Sequence, residues 1–151
     1  MDNNPDTYDR TIQLGASRRR LEDAEALYNQ ERWNGAIYMG GYAIECALKS
    51  LICFKQRTDN FKNTTVFKEK RSKGSNLHNL TKLLKALLNI HRKIESLPGH
   101  KPYREAWKQV NSWQNDNLRY SDQKGDKIEA SKFIDAVKKL HRYLLSEQGE
   151  R

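Results

Sequence analysis

Few residues in this chain have the type and spacing to do chemistry. Glu45 and Lys49 stand four apart, so on a helix a carboxylate and an ammonium share one face, one turn apart. His78 opens a later apolar run, and imidazole is the side chain that gains and loses a proton near neutral pH. Arg119 and Tyr120 are neighbours: a guanidinium grips phosphate, and a phenol stacks on a base. Basic residues crowd one stretch, where Lys55, Arg57, Lys62, Lys68, Lys70, Arg71 and Lys73 face only Asp59 and Glu69. Such a stretch can follow a phosphate backbone.

Each of these has a plainer use. Glu45 can simply pair with Lys49 or with a buried tyrosine, and His78 can hydrogen-bond a neighbouring segment. Arg119 can bridge Glu45 in the core, while Tyr38 and Tyr42 can be core or cleft lining. Standard catalytic signatures are missing: there is no glycine-rich phosphate loop, GxSxG, HExxH or CxxC. The four histidines, His78, His91, His100 and His141, have no metal-like spacing, so neither a metal nor another cofactor is expected. Cys46 and Cys53 are seven apart on one helix face, about 10 Å, too far for a mutual disulfide. Free thiols and a polar, acidic start without a secretory signal place the chain in the cytoplasm.

The element that must position these groups is Trp33–Phe54, the most apolar stretch of the chain. Ile37, Gly41, Ile44, Leu48 and Leu51 form a large-apolar stripe at helical spacing. Ala36, Gly40, Ala43 and Ala47 form a small-residue stripe where another helix can come close. Tyr38, Tyr42, Glu45, Lys49 and Ile52 make a third strip. Apolar around most of its girth, this helix belongs at the centre of a bundle. A membrane span would be long enough, but two charges near its centre would each cost about 2.5–3.5 kcal/mol.

Around it the periodicity predicts a first helix over Asp9–Asn29 after a frayed start at residues 1–8, with Asn34 as cap to the central helix. A third helix is expected from Ser75 or Asn76 to the stop at Pro98-Gly99, carrying Leu77, Leu80, Leu83, Leu84, Leu87, Leu88 and Ile94. A fourth runs over Tyr103–Trp113. A fifth is capped by Asp126, with Ile128 and Phe133 among its buried residues. The basic connection over residues 55–75 is long for a small domain, and its Thr-Thr-Val-Phe piece has strand character. With 36% hydrophobic and 31% charged residues and three prolines, the 151 residues read as one all-α domain, a bundle of about five helices. The net charge of +9 favours polyanionic partners.

The ordered set WNGAIYMGGYAIECALKSL from Trp33, HNLTKLL from His78 and WQNDNLRYS from Trp113 resembles the HEPN superfamily (higher eukaryotes and prokaryotes nucleotide-binding domain). The core of the likeness is Ala36, Tyr38, Gly41, Tyr42, Ala43, Glu45, Ala47, Leu48 and Lys49, and it extends over roughly residues 10 to 145. The resemblance implies an up-and-down bundle that is often homodimeric. It also implies roles in prokaryotic defence and toxin–antitoxin systems, some with a nucleotidyltransferase partner. Some members bind nucleotides, RNA or proteins; others are metal-independent ribonucleases. Ribonuclease members carry an arginine, four to six residues and a histidine late in the bundle. Here Arg119 stands in that region, but positions 124 to 126 are Lys, Gly and Asp; Arg71 and His78 have a similar spacing elsewhere.

The expected site is therefore Tyr42, Glu45 and Tyr120 for the ligand, with His78 and Arg119 as the catalytic pair if RNA is cleaved. Lys55, Lys62, Lys68, Lys70, Arg71 and Lys73 would carry the phosphates.

Overall fold

The computed structural model describes residues 6–70, 78–113 and 122–150. Among them the chain forms seven α-helices and no strand: α1 (Arg10–Asn29), α2 (Trp33–Lys55), α3 (Thr65–Lys70), α4 (Leu80–Lys85), α5 (Leu88–Ser96), α6 (Lys101–Asn111) and α7 (Lys127–Ser146). Short 3-10 turns occupy Phe61–Asn63 and Pro98–His100. The all-α bundle expected from periodicity is the fold.

α2 sits at the centre, packed along α1 on one side and α7 on another, with α4 against it and α6 closing on α7. It is long and apolar enough to cross a bilayer, yet 72% of its most apolar window is buried by its neighbours, as a core helix requires. The small stripe serves close approach. A Cβ on Gly40 would meet Phe133, Ile134 and Val137 of α7 at 3.2–3.5 Å. Gly41 does something different: a Cβ there would overlap the indole of Trp113, which lies where that side chain would be.

Local chemistry sets the helix ends. Asp9 caps α1 by accepting from the Thr11 and Ile12 amides at 2.8 and 3.2 Å, and Asp126 caps α7 through the Glu129 amide at 2.9 Å. Helices α1 and α2 both end in a left-handed residue that is not glycine, Glu31 (φ 60°) and Arg57 (φ 55°). After α1, the Glu31 and Arg32 amides reach back to the Tyr28 and Leu27 carbonyls; after α2, those of Arg57 and Thr58 reach back to Phe54 and Cys53. Both are Schellman terminations.

On the surface of α1, Arg19 and Arg20 pair with Glu22 and Asp23 at i,i+3, as the charge pattern suggests. Arg18 instead reaches Glu150, and Glu25 takes Lys138 of α7.

Several expectations need correction. The third helix is broken: its leucines divide into α4 and α5, with Leu87 (φ −105°, ψ 68°) between them. The break lets Leu80, Leu83 and Leu84 pack inward from α4 and Ile90 and Ile94 from α5, but leaves Leu88 60% exposed. Its cap is Asn79, whose side chain accepts from the Lys82 amide, not Ser75 or Asn76. Ile128, in the first turn of α7, is 66% exposed rather than buried.

Of the Thr-Thr-Val-Phe piece, Thr65, Val66 and Phe67 are helical and open α3, while Thr64 before them is extended. Asn34 does not cap α2; its side-chain amide donates to the Gln123 carbonyl at 2.9 Å, and its backbone N–H to that of Lys124. Residues 6–9 are tied down against residues 59–61: Arg10 donates to the Asp59 carbonyl, Phe61 to that of Tyr8, and the Asn60 side chain to the Asp6 carboxylate.

Candidate functional site

The third strip of α2 carries the groups that could do chemistry. Tyr38, Tyr42, Glu45 and Lys49 follow one another at i,i+4, i+7 and i+11, so they line one side of the helix in order. Trp113, just past the end of α6, closes onto that strip because Gly41 leaves it room. The three rings make a wall: Tyr38 and Tyr42 meet edge to face at 5.0 Å, and Trp113 lies 5.3 Å from Tyr42 and 6.5 Å from Tyr38. The two tyrosine hydroxyls are 3.4 Å apart.

One turn beyond the wall lies Glu45, 3% exposed. Its Oε2 accepts from Lys49 Nζ at 3.1 Å and from His78 Nδ1 at 3.2 Å, while Oε1 is buried with no hydrogen-bond partner among the described residues. A buried carboxylate is tolerated only with such partners, and Lys49, 5% exposed, supplies the opposite charge. Lys49 also lies 5.4 Å from the Phe61 ring centroid, a second contact that keeps the ammonium in place.

His78 differs from both, because its side chain is 53% exposed. With Nδ1 donating to Glu45, the neutral ring offers Nε2 as its acceptor. The arrangement is a solvent-facing imidazole oriented by a buried carboxylate, and it can bind an anion when protonated or move a proton. The adjacent Cys46 is no nucleophile: burial, and then the charge of Glu45, push its thiol up to about 11.

Of the residues expected at the site, the fold thus brings Tyr42, Glu45 and His78 together on one face. Arg119, Tyr120, Arg71 and Lys73 lie outside the described residues. Two of the remaining basic residues are engaged elsewhere. Lys55 pairs with Glu147 of α7 at 3.7 Å, and Lys62 stacks over Tyr8 at 4.8 Å from its centroid. Lys68 is exposed on α3, and Lys70 ends that helix.

Sequence reasoning passed over Lys49 and Trp113 as site residues. The first was legible from its i,i+4 spacing; the second had no local signal except the missing side chain at Gly41. Tyr38 also belongs to a cleft of about 620 Å³ at the start of α2, lined by Arg32, Asn34, Gln123 and Lys124 among others. The aromatic wall therefore continues into open space. Among the described residues no three His, Cys, Asp or Glu side chains are grouped to hold a metal.

In comparison with known families, the family model described as HEPN domain matches residues 14–148. No curated protein and no solved structure matches the chain.

Proposed function

The chain belongs to the HEPN domain family, and from that premise we propose that it is a nucleotide- or RNA-binding module of a prokaryotic defence or toxin–antitoxin system. The observation that carries this reading is the Tyr38–Tyr42–Trp113 wall beside the Glu45–Lys49–His78 cluster. Rings beside an exposed, hydrogen-bonding imidazole suit a base and its phosphate, since base–aromatic stacking contributes about 1–3 kcal/mol per base. Arg119 and Tyr120, a few residues past Trp113, would add a phosphate contact and a further ring. The exposed Lys62 and Lys68, with Lys70 at the end of α3, would extend the path along a longer strand. The module would work in the cytoplasm as a homodimer, alongside a partner such as a nucleotidyltransferase, in keeping with the family resemblance.

The test is the salt dependence of single-stranded RNA binding. Neutralising Lys62, Lys68 and Lys70 together to Gln should flatten the slope of log K against log salt, by about 0.7 for each phosphate that is no longer neutralised. An unchanged slope and affinity would remove the loop from the interface.

One observation favours a second reading, a metal-independent ribonuclease. His78 is half exposed and held by a carboxylate, as a proton-transferring imidazole needs to be. On that reading the chain cleaves RNA in EDTA, and His78→Ala abolishes cleavage while the fold survives. Freshly purified wild type with no cleavage leaves the binding module.

A further inference from the structure

The break between α4 and α5 opens a cleft of about 530 Å³ on a different part of the surface. Its floor is Ala86, Leu87 and Ile90, and Leu88 stands at its edge with 60% of its surface exposed. Its rim is basic: Lys55 from the end of α2, and Arg92 and Lys93 from α5, all exposed. The single acidic group in the lining, Glu147, is engaged by Lys55 at 3.7 Å. Glu95, further along α5, is paired with His91 at 2.9 Å.

An exposed leucine at the mouth of an apolar cleft asks for an apolar side chain, and three cations around it ask for carboxylates. Among the described residues the lining itself contains no aromatic ring, and the exposed Phe54 beside it lies under Lys55, 5.9 Å from Nζ to its centroid, so a nucleic acid would find phosphate contacts there but at most one ring at the edge. We propose that this cleft docks an acidic segment of a partner protein. The segment would set leucine-like side chains against Ala86, Leu87 and Leu88 and place its carboxylates by Lys55, Arg92 and Lys93. The proposal concerns a surface separate from the Glu45–His78 site and does not depend on what that site binds.

The test uses the full chain and a labelled amphipathic peptide of glutamate and leucine, with a single-stranded oligoribonucleotide as the competing probe. Amide shift mapping should place the peptide on residues 86–93, with affinity falling as salt rises. Leu88→Glu and the pair Arg92→Glu/Lys93→Glu should each weaken it about tenfold or more, while Ile128→Ser, an exposed apolar residue elsewhere, should leave it unchanged. Leu88 and the two cations are solvent-facing, so the variants should keep the wild-type melting temperature. No saturable peptide binding, binding indifferent to Leu88→Glu, or the oligoribonucleotide shifting these amides in place of the peptide would each overturn the proposal.

Discussion

Glu45 is the residue on which the site turns, because its buried carboxylate holds both Lys49 and His78. Removing it leaves an ammonium buried without its counter-charge, so Glu45→Ala should destabilise by roughly 3–5 kcal/mol. Replacing both charges by well-packed apolar residues, Glu45→Leu with Lys49→Leu, should recover most of that loss. Urea denaturation of the single and double variants checks this; a single variant within about 1 kcal/mol of wild type would mean that water reaches the pair.

A second buried polar pair sits between α1 and α7, where His141 Nε2 lies 3.0 Å from the fully buried Ser17 hydroxyl. Burial, helped by the nearby Arg18 charge, lowers the His141 pKa to about 4. The unfolded chain takes up that proton near its ordinary value of 6.5 and the folded chain does not, so stability rises with pH across this window. It should fall by about 3 kcal/mol as pH drops from about 6.5 to about 4. His141→Gln should flatten that part of the profile. At this scale the sequence displayed neighbours along a helix, such as Glu45 and Lys49, and concealed pairs made by packing. Nothing local links Ser17 to His141, or Glu45 to His78.

The elements were legible where one residue decides them. Asp126 caps where its position suggests, and the apolar girth of α2 placed it in the core. The break between α4 and α5 was not legible, because no proline or glycine marks it. It is imposed by what Leu83 and Ile90 must pack against, and an unbroken leucine pattern reads as one helix.

Trp113 and Gly41 are another case of packing settling what spacing leaves open. Gly41→Ala should drive the indole from its seat and cost about 1–3 kcal/mol. Protection of Trp113 from solvent quenching would report the shift, and a variant as stable as wild type with Trp113 still buried would contradict the seat. The left-handed end of α1 offers the opposite change. Glu31 has φ 60° and is exposed, so Glu31→Gly relieves a Cβ penalty and should raise the melting temperature by about 2–4 °C.

For the whole molecule, the net charge is +9, and the two proposals concern two different surfaces. One is the aromatic face of α2 with His78 beside it; the other is the cleft at the α4–α5 break. The sequence displayed the charge and the aromatic residues but not their division, since Lys55 counted with the loop lysines until folding paired it with Glu147 on α7. On the proposed reading, ligand sits on the Tyr38–Tyr42–Trp113 wall with His78 beside it.

An anisotropy titration of labelled single-stranded RNA, in EDTA at physiological salt, measures that directly. It compares wild type, Tyr42→Leu, which keeps apolar volume but removes the stacking ring, and Ile128→Ala, an exposed apolar residue of α7 outside the wall. Tyr42→Leu should weaken binding about tenfold or more, in line with one missing stack, and Ile128→Ala should leave it unchanged. Equal affinity for all three folded proteins would contradict the wall as the binding site and move it off α2.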